Sequence, residues 1–224
     1  APRPIGWIST ISESGKPNLA PYSYFNAVGS APGMVMFSSQ EWKDSVENIS
    51  RTGEFVCNYV SEDMLNAMNA SSASAPHGID EFELAGLEKA PSKLIAPPRV
   101  SGVAAALECK KTDIVEMKDL EGTSTDHFMV IGQVMGVHID DAFIKNGRFD
   151  IEKAKPLTRL GYMDYAKFGS IFELFRPSQR IEISIQRCFE INNVASRCHC
   201  LRYRFTLTAH LFLMGVHQSR IFSK

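Results

Sequence analysis

Apolar residues come in short runs broken by Gly, Pro, Asn and Ser: Ile5 to Ile11, Asn18 to Tyr24, Met34 to Ser38, Phe55 to Val60, Gly102 to Cys109 and Phe128 to Ile139. Runs of this kind, separated by turn residues, predict the strands of an antiparallel barrel or sandwich. Ser12-Glu-Ser-Gly-Lys-Pro17 joins the first two, its Gly and Pro supplying turn geometry. Two stretches carry helical spacing instead. From Asp44 to Thr52, Val46 and Ile49 fall on one face, Asp44 or Ser45 is available as N-cap, and Gly53 marks the stop. From Glu62 to Ser71, Met64, Leu65 and Met68 share a face and read as packing. His138 alternates with Val137 and Ile139, which assigns it to the polar face of its strand.

The chain changes character at Arg180. From Arg180 onward seven basic residues stand against Glu182 and Glu190, Asp and Pro are absent, and three of the five Cys occur, so the tail carries +5 and the preceding part −6. A domain boundary near Gln179 is expected, with a domain over 1–179 and a basic tail over 180–224. In the tail, Leu201, Tyr203, Phe205, Leu207, Ala209 and Leu211 alternate with polar residues, as do Ile181, Ile183 and Ile185. Whether these strand signals pair as a hairpin is left to tertiary context.

At 224 residues, 44% hydrophobic and 22% charged, the composition suits a soluble globular chain and excludes collagen, coiled-coil and disordered classes. A net charge of −1 gives no field to attract nucleic acid or an acidic membrane surface, so neither partner is expected. No stretch approaches the roughly 18 to 20 apolar residues of a membrane-spanning helix, and no signal-peptide pattern opens the chain. A cytoplasmic protein is expected. Because the first residue is Ala1 and strand character begins at Ile5, a missing N-terminal piece is also expected.

An odd Cys count without framework spacing suits reduced thiols, and Cys57 and Cys109 fall in apolar runs as inert core residues. Cys188 with Cys198-His-Cys200 lacks paired zinc-ligand spacing, so no metal is expected. The absence of G-x-S-x-G, Walker A and G-x-G-x-x-G patterns leaves a serine hydrolase or a Rossmann dehydrogenase without support.

The most informative stretch is Gln40-Glu-Trp-Lys-Asp-Ser-Val-Glu-Asn-Ile49. A helix N-terminus presents unpaired N–H groups and a positive dipole end; Lys43 adds a full charge and Ser45 a hydroxyl. Those parts suit a terminal phosphate monoester, and equally describe an ordinary capped surface helix with Lys43 in water. Upstream, Trp7-Ile-Ser-Thr10 and Ala20-Pro-Tyr-Ser-Tyr-Phe-Asn26 set Ser9, Thr10, Ser23 and Asn26 beside the aromatic Tyr22, Tyr24 and Phe25. Hydroxyls, amides and rings together suit a flat heterocycle; half-exposed strands are the plainer account.

The order and spacing of several segments are more specific than any one of them. Pro2-Arg-Pro-Ile-Gly-Trp-Ile-Ser-Thr10, Ala20 to Asn26, Ala31-Pro-Gly-Met-Val-Met-Phe-Ser38, Lys43-Asp-Ser-Val-Glu-Asn-Ile49 and Thr52-Gly-Glu-Phe-Val-Cys-Asn58 follow in sequence. They continue through Asp80 to Leu87, Leu107 to Lys110, Asp126-His-Phe-Met-Val-Ile-Gly-Gln-Val134 and Arg159-Leu-Gly-Tyr-Met-Asp-Tyr165. In this the chain resembles the flavin reductase-like family of FMN-binding split barrels, over about Ala1 to Gln179. The tail matches nothing in that family.

The resemblance implies a mainly β fold with accessory helices: a six-stranded antiparallel Greek-key split barrel, usually a homodimer with flavin near the subunit interface. It implies that Ser9 and Thr10 contact the ribityl or ring, that Tyr22, Ser23, Tyr24, Phe25 and Asn26 contact isoalloxazine and ribityl, and that Lys43, Asp44, Ser45 and Asn48 surround the phosphate. Asp44, itself an anion, is expected to cap the helix or order Lys43. Ser38 joins this cofactor-binding set, and Arg159 and Tyr162 either close over the flavin or anchor the C-terminal segment.

His127, in Thr125-Asp-His-Phe, is similar to a His of short-chain flavin reductases that sits near nicotinamide and flavin. It is the expected catalytic residue, with a partly exposed strand-end His as the alternative. His77, beside Pro76 and Gly78, reads as a loop residue. The implied activity is transfer of a hydride from NADH or NADPH to FMN and on to free flavin, a metal chelate, a partner oxygenase or another redox protein. The alternatives are a flavoredoxin-like module reduced by a protein partner, and a flavin-free binding or hydrolytic descendant of the barrel.

Overall fold

Seven strands make the main sheet: β1 (Gly6–Ile11), β2 (Pro17–Tyr22), β3 (Phe25–Ser30), β4 (Gly33–Gln40), β5 (Glu54–Asn58), β6 (Ala105–Lys118) and β7 (Ser124–Ile139). The structure is a computed structural model and describes residues 1–73 and 76–174. Strand order is β2-β1-β5-β6-β7-β4-β3, and every pairing is antiparallel. β2 and β3 lie at opposite edges of that order, yet only Ser23 and Tyr24 join them. Three residue steps span at most about 11 Å, so the sheet must roll until its edges approach. Tyr22 and Phe37, with ring centroids 4.6 Å apart, meet where they do. No ladder joins β2 to β3 among the described residues, so the barrel is split along this seam.

The expected six strands become seven because Ala20 to Asn26, read as one segment, breaks at Ser23. β6 also runs well past Cys109, through Lys110, Lys111 and Asp113, where its polar residues hide the strand signal. It forms with β7 a long hairpin, half of which stands away from the core.

α1 (Asp44–Thr52) connects β4 to β5 and packs on β1, β2 and β5. Its apolar residues Val46 and Ile49 enter the barrel interior with Ile8, Val35, Phe37, Phe55 and Val130. Gly53 ends it with φ 73°, the left-handed turn that glycine adopts without penalty. The N-cap differs from expectation: it is Lys43, without any side-chain capping bond, and neither Asp44 nor Ser45 caps. A second core lies on the other side of β1, where Trp7, Leu19, Val56, Met68, Phe82 and Val100 pack under α2 (Leu65–Ala70) and α3 (Glu81–Leu84). β1 is therefore buried on both faces, which removes the half-exposed account of its polar residues. Cys57 and Cys109 are buried free thiols, as expected, and burial pushes the Cys57 thiol well up.

His138 reverses its expected orientation. Its ring points inward to the fully buried Glu108, while Met135, Val137 and Ile139 form the exposed face of β7. A three-stranded ribbon, Arg3–Pro4, Thr158–Arg159 and Tyr165–Ala166, flanks the barrel. Residues Ala1–Glu173 form one compact unit. The boundary at Gln179, the tail alternation and Cys188, Cys198 and Cys200 lie outside the described residues. Among the described residues no helix is long and apolar enough to cross a membrane, and no cluster of metal-ligating side chains occurs.

Candidate functional site

The N-terminus of α1 opens into a hollow of about 390 Å³ walled by β2, the β4–α1 turn and the segment after α2. Tyr22, Lys43, Asp44 and Ser45 line it. With no side-chain cap, the first N–H groups of α1 lack intrahelical acceptors. Lys43 is exposed at this end and pairs with no carboxylate among the described residues.

A buried polar network fixes the hollow's floor. Asn18 Nδ2 donates to Ser45 Oγ at 2.9 Å and to Thr10 Oγ1 at 3.3 Å, and Asn48 Nδ2 donates to Thr10 Oγ1 at 3.0 Å. Thr10 and Asn48 thus stand behind Ser45, and all four residues are buried. Tyr22 lines the same hollow, and burial raises its pKa, with Ser45 and Ser39 acting in the opposite direction.

Carboxylates share this hollow, which bears on whether an anion fits. Asp44 accepts from the Gly78 N–H at 2.8 Å and pairs with the His77 ring, so it anchors the 76–78 loop and does not order Lys43. Glu81 accepts from the Leu19 N–H at 3.0 Å; burial raises its pKa, toward the neutral form. Asp44 and Glu81 are thus engaged by protein donors, while Lys43 and the helix N–H groups are left for a ligand.

A second hollow, of about 320 Å³, adjoins the first through Pro21 and Ser72 and is lined by Ser23, Arg3 and Arg159. The remaining expected residues are dispersed. Ser9 faces the second core, where its hydroxyl donates to the Pro98 carbonyl at 2.6 Å and accepts from Asn58 at 3.1 Å, so the fold already uses both of its bonds. Tyr24 is 59% exposed, Asn26 is exposed on β3, and Phe25 covers Gly6, where an added Cβ would lie 2.5 Å from its ring. Ser38 is buried and its hydroxyl has no partner in the structure. Tyr162 is 95% exposed and offers only its carbonyl, to Arg159.

His127 is half-buried on β7 opposite Gln40. Its Nδ1 lies 2.6 Å from the Thr125 carbonyl; a carbonyl only accepts, so Nδ1 carries a proton and, in the neutral ring, Nε2 is the lone-pair acceptor. A register shift between Ser124 and His127, with Asp126 at φ 56°, re-aims the ring. The Glu41 N–H donates to the Asp126 carbonyl at 2.8 Å, tying this turn to the rim of the α1 hollow. Asn18, Glu81 and Arg3, which the sequence did not single out, also line these hollows, as does His77, read there as a loop residue. Arg3 had a signal, a lone cation between two prolines at the mouth of a buried strand.

The flavin reductase like domain matches residues 1–158. An uncharacterized protein of Aquifex aeolicus (strain VF5) is 36% identical over 175 residues, 75% of this chain and 86% of that protein. Nitrilotriacetate monooxygenase component B from Bacillus cereus superposes with a TM-score of 0.73 at 32% identity, covering 78% of this chain and 88% of its own. Pseudomonas fluorescens 2-nitrobenzoate 2-nitroreductase NbaA gives a TM-score of 0.71 at 29% identity, over 80% of this chain and 87% of its own. With the split barrel, the open α1 terminus and these likenesses together, the chain belongs to the flavin reductase-like family and is a flavin-related oxidoreductase.

Proposed function

We propose that this chain binds FMN with its phosphate at the α1 N-terminus and transfers a hydride from NADH or NADPH to it, for delivery to an acceptor. The observation that carries this reading is the uncapped α1 end, with Lys43 unpaired beside it, opening into a hollow in a flavin reductase-like chain. When bound, FMN supplies a ring that accepts a hydride at N5. Lys43, the helix N–H groups and Ser45 hold the phosphate; Thr10, Asn18 and Asn48 hold Ser45 in place. Tyr22 and Ser23, at the join of the two hollows, face the ribityl and ring, with Tyr24, Phe25, Asn26 and Ser38 farther along the same seam. His127, with Nε2 as an acceptor, orients the nicotinamide donor.

A homodimer is supported by the exposed apolar row Met135, Val137 and Ile139, which a second copy would cover. A partner oxygenase as electron acceptor is supported by the neighbour named as a monooxygenase component. The free thiols Cys57 and Cys109 are consistent with cytoplasmic residence.

Fluorescence titration tests the phosphate assignment. FMN should bind more tightly than riboflavin, and Lys43→Ala should weaken FMN by about 1.5 to 3 kcal/mol, roughly 10- to 100-fold, with riboflavin unchanged. Equal loss for both flavins would move the phosphate elsewhere. Oxidation of NADH or NADPH by the purified protein separates this enzyme from a module that only a protein partner reduces.

A further inference from the structure

The hollow beside the α1 site has a basic wall built from two strands. Arg3 and Arg159 are Cα partners across an antiparallel pair, so their side chains rise from the same face of the ribbon, and both line the hollow. Each guanidinium lies over a tyrosine ring, Arg3 at 5.1 Å from the Tyr24 centroid and Arg159 at 4.5 Å from that of Tyr165. A ring engages the flat face of a guanidinium and fixes its plane, while the N–H edge stays available for forked bonds.

Those edges are only partly used. Arg3 Nη2 donates to the Leu160 carbonyl at 3.1 Å and Arg159 Nη2 to the Tyr162 carbonyl, but Arg3 Nε is buried without a partner among the described residues. Neither arginine pairs with a carboxylate among the described residues. Two cations facing one hollow repel each other, and an unsatisfied buried N–H is unfavourable. A dianion in the hollow relieves the repulsion and takes bonds from the guanidinium N–H groups that face it. Ser23, Asn69 and Ser72 supply further polar groups on the same walls.

Resting on the flavin reading above, which assigns the flavin phosphate to α1, we infer that Arg3 and Arg159 form a second anion seat that takes the pyrophosphate of the nicotinamide dinucleotide donor. A diphosphate carries two charges and several acceptor oxygens, enough for both guanidinium forks, whereas a single carboxylate engages one. The shared walls Pro21 and Ser72 place donor and flavin seats in one continuous groove. The same chemistry has a second source, the phosphate of the flavin itself, and the test separates the two.

The FMN-loaded full chain is titrated calorimetrically with ADP-ribose, which carries the pyrophosphate but no nicotinamide and so reports binding without turnover. ADP-ribose should bind the wild type, and Arg3→Gln and Arg159→Gln should each weaken it at least tenfold, with Arg159→Lys in between. FMN affinity should stay within twofold, which also certifies the fold of each variant. Failure of ADP-ribose to bind the loaded wild type, or binding indifferent to both substitutions, would overturn the seat. So would weakened FMN with unchanged riboflavin, which would assign the arginines to the flavin's own phosphate. A chain that takes up no FMN yet binds ADP-ribose through the two arginines would overturn the flavin reading and leave the seat standing.

Discussion

His127 shows how the backbone sets the orientation and hydrogen bonding of a single side chain. The Nδ1–H of His127 donates to the Thr125 carbonyl, so in the neutral ring the other nitrogen is an acceptor, and the bulge at Thr125–Asp126 sets the ring's direction. A group placed this way affects the geometry of hydride transfer more than the anchoring of a phosphate some residues away. His127→Ala should therefore retain bound flavin and slow its reduction by NADH or NADPH roughly 10- to 100-fold, within the range that positioned groups supply. Stopped-flow reduction at saturating FMN measures this, and an unchanged rate with unchanged donor affinity would return His127 to a strand-end role. Lys43 offers the contrasting case: its place just before α1 is read from the sequence alone, and its value to a phosphate is what the Lys43→Ala titration tests.

At the scale of elements, Glu108 on β6 pins a loop to the barrel. Its carboxylate is fully buried and accepts from the Lys93 N–H at 2.7 Å, the Leu94 N–H at 2.6 Å and the His138 ring on β7. Burial by itself pushes the Glu108 pKa up, but the Lys93 N–H, His138 and the Leu94 N–H together outweigh it and hold the group below the ordinary carboxylate range. A carboxyl whose folded pKa is lowered stabilises the fold fully above its unfolded value and loses that contribution as pH falls through the folded one. Stability should decline below about pH 4 in part through this group. Glu108→Gln turns an amide donor toward protein donors and should cost about 2 kcal/mol at neutral pH, while flattening the acid decline. Urea midpoints across a pH series read both effects; a variant with wild-type acid dependence would remove Glu108 from the account.

For the whole molecule, the same inward turn of His138 leaves Met135, Val137 and Ile139 in a row on the outer face of β7, with Val28 exposed on the edge strand β3. Exposed apolar rows of this kind are unfavourable in a monomer and invite a self-complementary contact. Light scattering should give a dimer mass, and Val137→Lys should shift the protein toward monomer; a wild-type monomer carrying FMN would sink the dimer. The split in the barrel makes the same point by another route. Among the described residues no ladder closes the seam between β2 and β3, Tyr24 is exposed there, and on the proposed flavin reading a second copy is a means of excluding water.

Local pattern determined much of this protein. The period of Val46 and Ile49 with Gly53 beyond them specified α1 to the residue, and the apolar runs located most barrel strands, because spacing and turn chemistry act within a few residues. The order of several weak motifs also pointed to the family. Only the tertiary structure decided which face of a strand is inside. His138 turns in because Glu108, thirty residues away, offers an acceptor that water would otherwise supply, and the apolar neighbours are displaced outward. Ser9 bonds to Pro98 and Asn58 while Thr10 joins Asn18 and Asn48 under α1, because β1 is covered on both faces and adjacent residues enter different cores. The partnership of Arg3 with Arg159 joins the two ends of the described chain, and only the pairing of distant strands brings such residues to one hollow.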